Sequence, residues 1–353
     1  MNKQFFLNHS KIDAYFKQSK DDFIVTEVPL YEFSNSGEHI VAKIRKKDLS
    51  TWDMVQIISN HIGCKSRDIG YAGLKDKNAM TIQSISIPKK YEINLQNFSH
   101  DKIKILETTY HNNKIRVGHL KGNKFFIRLK RVLPRDAVKL DSVMEQIKLY
   151  GMPNYFGVQR FGIEGDNYKK GEAICNGTLK EKNRKLKQMY LNAYQSYLFN
   201  QWLSKRIEIS KLINIFEPKE LTTKLNLSVQ TIKSIKKQPH FFKIFDGDVM
   251  EHYPFGRIFY ADDLDSEAQK FYDRDRVPTG LLSGKKAKLA INDALEFENE
   301  FNKPTIVDGT RRYAWVFVND IETTYNEEKA HYEINFFLPK GSYATELIRE
   351  LIH

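Results

Sequence analysis

The residues with the clearest potential for chemistry lie in the segment YAGLKDKNAM, which runs from Tyr71 to Met80. This segment places one carboxylate, Asp76, between Lys75 and Lys77, just after a glycine-containing stretch. A carboxylate can act as a nucleophile or as a general base, so Asp76 could be a reactive acid held against a polyanionic substrate. Asp and Lys are also ordinary turn residues. The segment alone leaves both interpretations open.

A second segment, MPNYFGVQRFG (Met152–Gly162), combines aromatic rings, amides and a cation. Aromatic rings can stack on a nucleobase that has left its own stack, while amides and arginine can read its edge. The same composition would suit a packed turn. Arg160 could then be a structural ion-pair residue instead of a phosphate contact.

Other catalytic and cofactor motifs are absent from the sequence. GLLSGKK (Gly280–Lys286) has only three residues between its glycines, and Lys286 stands where a phosphate-binding loop needs Ser or Thr. There is no GxGxxG, HExxH or GxSxG pattern, and Cys64 and Cys175 are far apart. The sequence therefore predicts neither a metal site nor a cofactor.

Hydrophobic periodicity indicates the elements that must position Asp76. Alternating apolar residues predict strands in four segments: DDFIVTEVPL, EHIVAKIRKK, TIQSISIP and KFFIRLKRVLP. The segment LSTWDMVQIISNHIG predicts a helix that begins near Ser50 or Thr51 and ends at Gly63. Asp76 is thus expected in a loop that runs into a strand.

The character of the sequence changes near Leu179. From Leu179 to Ser210 the chain has helical periodicity without proline or glycine. The final segment, HYEINFFLPKGSYATELIRELIH, returns to a strand, a turn and a helix. This pattern favours a β-rich α+β domain that is interrupted by a more helical middle and completed by the C-terminus.

Length and charge limit the class of protein. A chain of 353 residues suggests about two domains, and its formal charge of +12 favours a polyanionic partner, either nucleic acid or an anionic membrane surface. A merely basic enzyme is the alternative. The N-terminus lacks the pattern of a signal peptide, no long apolar run occurs, and cysteine is sparse. We therefore expect a soluble, cytoplasmic protein.

Six segments in order carry a resemblance to a known family. They are DDFIVTE, AGLKDKNAMT, MPNYFGVQRFG, LNAYQSYLFNQ, PTGLLSG and LPKGSYATELIREL. Together they resemble the TruD family of tRNA pseudouridine synthases. AGLKDK is similar to the catalytic-aspartate motif of that family, and NYFGVQRFG to its most distinctive signature.

The resemblance implies both a fold and an activity. The implied fold is a pseudouridine-synthase catalytic domain, with a mixed or antiparallel sheet flanked by helices, formed by residues 1–178 and 317–353. A family-specific α/β domain, residues 179–316, is inserted into it. The implied activity is isomerisation of uridine to pseudouridine in tRNA, typically at position thirteen. It implies a tRNA partner but no cofactor, metal, membrane or obligate protein partner.

The resemblance also implies roles for individual residues. Asp76 is the expected catalytic residue, and Lys17 is the cation expected to keep it charged. Phe156 is expected to stack on uracil, and Asn154 can offer a donor and an acceptor to the uracil edge. The remaining substrate-binding residues implied are Phe23, Tyr343 and Arg160.

Some interpretations stay open at this stage. Phe23 could be a plain core residue, and Glu27 fits either a surface strand or a supporting role near the site. Tyr343 stands where the family often has phenylalanine, so its hydroxyl needs a partner or solvent. The basic run at 180–187 suits a solvated helix face or a phosphate-binding track.

Two other functions remain as alternatives to the tRNA enzyme. One is a synthase of the same fold that acts mainly on another RNA. The other is a non-catalytic RNA-binding protein of the same fold. The sequence does not choose between attack by Asp76 as a nucleophile and removal of a sugar proton.

Overall fold

The structure, a computed structural model, describes residues 3–16, 19–75, 77 and 79–353. The described residues pack into two compact units. The sheet unit comprises Ile12–Ser142 and Val318–Gly341. The helical unit comprises Met1–Lys11, Val143–Phe317 and Ser342–His353.

The regular elements follow one another along both units. The strands are β1 (Phe23–Pro29), β2 (His39–Lys46), β3 (Gly70–Tyr71), β4 (Met80–Pro88), β5 (Ile103–His111), β6 (Leu120–Lys130), β7 (Met152–Pro153), β8 (Val249–His252), β9 (Ile258–Tyr260), β10 (Arg276–Leu282), β11 (Thr310–Tyr313), β12 (Trp315–Val316), β13 (Asn319–Asn326) and β14 (His331–Pro339). The helices are α1 (Thr51–Ile62), α2 (Glu92–Gln96), α3 (Pro134–Tyr150), α4 (Asn167–Cys175), α5 (Arg184–Ile215), α6 (Pro218–Leu225), α7 (Val229–Lys237), α8 (Leu264–Tyr272), α9 (Asn292–Asn299) and α10 (Ala344–Ile352).

The sheet unit is built on one mixed sheet. Its strand order is β13-β14-β6-β1-β4-β2-β5, and β3 pairs with β4. β1 and β4 run parallel, whereas the other neighbouring strands run antiparallel. Helix α1 covers part of this sheet with Met54, Val55, Ile58 and Ile62. The predicted α+β class, with a mixed sheet flanked by helices, is confirmed.

The local sequence explains these elements. In β6, Phe125, Ile127 and Leu129 are buried, while the residues between them are partly exposed. Helix α1 begins after Ser50, whose side chain accepts the amide of Asp53, and ends at Gly63 with φ 74°. Such a left-handed terminus favours glycine because it has no Cβ.

The helical unit is organised around α5, which has 32 residues. Apolar residues of α5, α6, α7 and α9 form one of its cores. Two small sheets accompany the helices, one with the order β11-β10-β8-β9 and one formed by β12 and β7. The sequence placed the start of α5 near Leu179, whereas the helix begins at Arg184, so this boundary was wrong. The side chain of Asn183 accepts the amides of Lys185 and Leu186 and so fixes the start of the helix.

A fully buried ion pair ties α5 to the loop before β8. Arg206 donates two hydrogen bonds of 2.7 Å to the Asp248 carboxylate, and a third to the Lys243 carbonyl at 3.0 Å. The Asp248 carboxylate also accepts the amide of Phe245 at 2.8 Å. Both charged side chains are almost completely buried. The pair therefore depends on both partners being present.

We expect Asp248→Asn to lower the free energy of unfolding by roughly 3–5 kcal/mol, because it leaves a buried guanidinium without a countercharge. Chemical denaturation would measure this loss. The double variant Arg206→Met/Asp248→Leu, which buries no charge, should recover most of it. An Asp248→Asn protein as stable as wild type would contradict the predicted role of the pair.

The two units and the predicted domains are different divisions of the chain. The units follow the packing of described residues, whereas the boundaries at 178 and 317 came from a family resemblance. Those domain boundaries stay a prediction.

Among the described helices, none is both long and apolar enough to cross a lipid bilayer.

Candidate active site

The predicted site residues fall in both units of the structure. Phe23 belongs to the sheet unit, and Asn154, Phe156, Arg160 and Tyr343 belong to the helical unit. The predictions for Asp76 and Lys17 fall outside the described residues. What the structure does describe is the chain that leads directly to Asp76.

Lys75, the residue before Asp76, points into the sheet unit. Its Nζ lies 2.6 Å from Oε2 of Glu27 in β1, and only 6% of the Lys75 side chain and 1% of the Glu27 side chain are exposed. The other Glu27 oxygen accepts the amide of Ser84 in β4 at 3.4 Å. The sequence allowed Glu27 either a place on a surface strand or a supporting role near the site. In the structure it neutralises the charge of Lys75. Lys77 is exposed to solvent.

The backbone of Lys75 is also fixed on both sides. Its amide donates to Oγ1 of Thr51 at 2.9 Å, and Lys46 donates to its carbonyl at 3.4 Å. Thr51 in turn donates to Oε1 of Gln83 at 3.0 Å. The side chain, amide and carbonyl of Lys75 are thus all held, so the chain enters Asp76 from a fixed residue.

Phe23 lies at the start of β1 and is 3% exposed. Its ring centroid lies 5.5 Å from that of Phe16 and 6.2 Å from that of Phe125. These are contacts of a core ring, which agree with the structural interpretation of this residue. A substrate contact for Phe23 stays a prediction.

The turn before Phe23 is held by the buried carboxylate of Asp22. It accepts the amide of Ser19 at 2.8 Å and pairs with Lys130 at 2.8 Å and Arg128 at 3.3 Å. Burial raises the pKa of Asp22, but the hydrogen bonds from Lys130 and Ser19 outweigh it and leave the pKa below its ordinary value. Asp22 is therefore a charged anchor for this turn.

In the helical unit, Asn154 is bonded mainly to Arg312. Its Oδ1 accepts Nη2 of Arg312 at 2.9 Å, and its Nδ2 donates to the carbonyl of Tyr313 at 3.0 Å. Nε and Nη2 of Arg312 also donate to the Asn154 carbonyl, at 3.2 and 3.0 Å. An amide group has two donors and two acceptor lone pairs. In this structure Asn154 uses one of each to orient its neighbours.

Arg312 covers the ring of Phe156. Its guanidinium carbon lies 3.9 Å from the ring centroid, and that of Arg160 lies 5.5 Å from the same centroid. Nε of Arg160 donates to Oγ of Ser196 at 3.1 Å. Within the described part of the chain, Arg160 forms no ion pair with a carboxylate, and a phosphate contact for this residue stays a prediction.

Burial lowers the pKa of Arg312 to about 10; Tyr343 raises it and the Arg160 cation lowers it. Arg312 therefore remains charged at neutral pH. Two guanidinium groups therefore lie next to one aromatic ring.

The backbone of Phe156 is clamped by α5. Oδ1 of Asn200 accepts the Phe156 amide at 2.8 Å, and Nδ2 of Asn200 donates to the Phe156 carbonyl at 3.1 Å. Lys3 donates to the same carbonyl at 2.8 Å. The ring meets Phe199 of α5 nearly at right angles, with centroids 5.6 Å apart. Phe156 is consequently a rigid residue, 6% exposed.

Tyr343, the residue before α10, packs against the turn after Phe156. Its ring centroid lies 6.2 Å from that of Phe156. A Cβ on Gly157 would lie only 2.8 Å from Cδ1 of Tyr343 and 2.7 Å from Oε1 of Gln159. Gly157 is thus required by close packing, and the predicted segments NYFG and GSYAT meet at this point.

Sequence reasoning missed two of the residues that build this cluster. Asn200 had a usable signal, since Ser196, Phe199 and Asn200 recur at positions i, i+3 and i+4 and must share one helix face. Arg312 had no local signal. Its role depends on pairing between residues far apart in sequence.

No metal site emerges from the side chains that the structure describes. Among these residues, no group of three or more His, Cys, Asp or Glu side chains is placed to hold an ion. Both Cys64 and Cys175 are free cysteines.

Comparisons with known proteins cover almost the full chain. The family model for tRNA pseudouridine synthase D (TruD) matches residues 2–184 and 175–351. A tRNA pseudouridine synthase D from a Nitratiruptor species is 54% identical over 354 residues, which cover 100% of this chain and 98% of the relative. One from Sulfurimonas denitrificans is 51% identical over 351 residues, covering 99% and 98%.

A solved structure is similar in fold. It is described as a TruD protein from Methanosarcina mazei and matches with a TM-score of 0.72 over 99% of this chain and 95% of the other. The two sequences are 20% identical, so this likeness concerns the fold alone.

Proposed function

The chain belongs to the TruD family of tRNA pseudouridine synthases, and we propose that it isomerises uridine to pseudouridine in tRNA with Asp76 as its catalytic residue. The observation that best supports a catalytic role for Asp76 is that the preceding residue, Lys75, is held in place. Lys75 is held by side chain, amide and carbonyl, and its charge is neutralised by Glu27. Such preorganisation suits a group whose position decides the rate.

The reaction needs no redox partner because it rearranges bonds within one nucleotide. The N1–C1′ bond breaks, the base turns, and a C5–C1′ bond forms. C5 loses a proton to solvent, and N1 gains one. Asp76 would act either as the nucleophile or as the base that removes a sugar proton, and both routes remain open.

We assign substrate binding in the helical unit to the cluster of Asn154, Phe156, Arg160, Arg312 and Tyr343. A uridine must leave its stack to react, which costs roughly a few kcal/mol, and an aromatic contact returns roughly 1–3 kcal/mol per base. Phe156 supplies a ring that is already held in place; Arg312 covers one of its faces, so we propose that uracil stacks on the other. Arg160 and Arg312 supply positive charge for a phosphate.

Basic residues at the start of α5 support a polyanionic partner. Arg184, Lys185 and Lys187 occupy the first turn, where no acidic residue lies. Cations at a helix N-terminus oppose the helix dipole and cost about 0.3–1 kcal/mol each at an exposed site. Helix stability therefore does not explain this run, whereas contact with an RNA backbone would.

The finer assignments are part of the same proposal. We propose that the target is the uridine at position thirteen of tRNA, and that the enzyme is cytoplasmic. We also propose that residues 1–178 and 317–353 form the catalytic domain, with 179–316 inserted. Phe23 and Lys17 complete the proposed substrate-binding set, in addition to the cluster above.

Release of tritium from C5-labelled uridine tests the activity directly. Unmodified tRNA should release tritium with the wild-type protein, and a matched transcript with cytidine in place of the target uridine should not. Release from another RNA but not from tRNA would favour the alternative substrate. A folded protein that binds tRNA without releasing tritium would overturn the proposed reaction.

We expect Arg312→Lys to reduce kcat/KM for tRNA by roughly 10- to 100-fold, because an ammonium cannot bond both oxygens of Asn154 while covering the Phe156 ring. Steady-state tritium release would measure the change. Arg257→Lys, at another arginine of the same unit, is the matched control and should leave kcat/KM within about twofold. Wild-type kinetics in Arg312→Lys would remove this residue from the proposed site.

A further inference from the structure

An exposed aromatic patch lies on the sheet unit. Trp52, in the first turn of α1, is 59% exposed, and Leu74 is 61% exposed. Trp52 meets Tyr71 nearly at right angles, with ring centroids 5.8 Å apart. This arrangement leaves at least one face of the indole open to solvent. The other two tryptophans, Trp202 and Trp315, are 2% and 0% exposed.

The patch is connected to the segment that leads to Asp76. Leu74 directly precedes Lys75, and Thr51, the neighbour of Trp52, accepts the Lys75 amide at 2.9 Å. Trp52 is therefore tied through one residue and one hydrogen bond to the residue before Asp76. The exposure of Trp52 can therefore be explained by a contact with the substrate of the proposed catalytic segment.

The charges next to the patch are mixed, so the net charge of the chain is what favours an anionic partner. Asp53, the neighbour of Trp52, is an exposed carboxylate whose pKa is lowered by hydrogen bonds from Ser50. Lys77, two residues after Lys75, is also exposed. The whole chain carries a formal charge of +12. A second protein would need a larger apolar surface than one indole and one leucine.

We propose that Trp52 stacks on an unpaired nucleobase that neighbours the target uridine in the RNA. The inference rests on the proposed function for the identity of the RNA and of its target. When a uridine leaves its stack, the adjacent base loses a stacking partner, and Trp52 replaces it. Stacking tolerates any base, because every base has a π face, so this contact supports affinity and not sequence choice.

Tryptophan fluorescence tests this contact without any turnover. Trp202 and Trp315 are buried, so emission accessible to acrylamide comes from Trp52. In an Asp76→Asn background, unmodified tRNA should quench this emission and protect it from acrylamide. In Trp52→Phe/Asp76→Asn protein the RNA-dependent signal should disappear. RNA binding that leaves Trp52 equally accessible would overturn the proposal.

Kinetics give a second, independent readout. Trp52→Ala should raise KM for tRNA by roughly tenfold with a smaller change in kcat, and Trp52→Phe should recover most of the loss. Ile93→Ala, at a residue of the same unit that is 74% exposed, is the matched control and should behave as wild type. Unchanged KM in Trp52→Ala would overturn the proposal while leaving the proposed reaction intact.

Two further outcomes separate this surface from the other possibilities. Protection of Trp52 by RNA, together with a wild-type protein that binds tRNA but releases no tritium from it, would support the stacking contact and reject the proposed reaction. Protection that grows with protein concentration in the absence of RNA would identify a self-association surface and overturn the stacking proposal.

Discussion

Replacing Asp76 by asparagine should abolish tritium release from tRNA, with a loss of roughly 10⁴-fold or more in kcat. Asparagine preserves the size of the side chain but can neither attack as a carboxylate nor accept a proton as one. Single-turnover assays at high enzyme concentration would measure the residual rate. The affinity for tRNA, measured by fluorescence anisotropy, should change little because the rest of the proposed binding surface is unaltered.

The size of the loss also bears on the two chemical routes. General-base catalysis contributes typically about 10²–10⁴-fold, whereas loss of a nucleophile can cost more. Asp76→Glu, which keeps the carboxylate but moves it by one methylene, serves as the companion variant and should lose about 10²-fold. An Asp76→Asn protein whose kcat lies within about tenfold of wild type, or one that fails to fold, would contradict the catalytic role. Either result would support the interpretation of Asp76 as an ordinary turn residue.

Replacing Glu27 by glutamine should produce the second large effect, on stability and on rate together. The substitution leaves the buried ammonium of Lys75 without its countercharge, which typically costs roughly 3–5 kcal/mol. It also loosens the residue before Asp76, so kcat should fall by about 10²-fold while KM changes little. Chemical denaturation and tritium release would measure the two effects.

A double variant separates the structural effect from the positioning effect. Glu27→Gln/Lys75→Met buries no unpaired charge, so its free energy of unfolding should approach that of wild type. The ionic tether is still missing, so its kcat should stay low. Recovery of full activity together with stability would show that the pair serves folding alone.

The regular elements of the sheet unit were predictable because their signals are local. In strands β1 and β6 most side chains alternate between a buried and a more exposed face, whereas β2 and β4 also contain runs of consecutive buried residues. Alternation of this kind can be read over a few residues. Helix α1 has its cap at Ser50 and its stop at Gly63, which are equally local signals. The start of α5 was missed because Asn183 interrupts a continuous run of good helix formers, and a capping side chain can end such a run early.

The candidate site was predictable only in part, because its contacts join distant residues. Glu27 and Lys75 are 48 positions apart, and Asn154 and Arg312 are 158 apart. Hydrophobic periodicity in the sequence does not indicate which distant residues pair. The sequence identified Asn154 as a polar residue among aromatics but not Arg312, to which it is bonded. Likewise, the sequence offered two interpretations of Phe23, and the described contacts of its ring are those of a core residue.

The arrangement of Arg160 and Arg312 has a thermodynamic consequence. The two guanidinium groups lie over one ring. Burial is the main cause that lowers the pKa of Arg312, and the charge of Arg160 lowers it further, so the cations repel each other when no anion is present. A bound phosphate would cancel that repulsion in addition to making its own contacts. Since any ligand that binds only the folded state raises its stability, the free protein is held below the thermal stability that it would reach with RNA bound. Its melting temperature would then depend on the concentration of RNA.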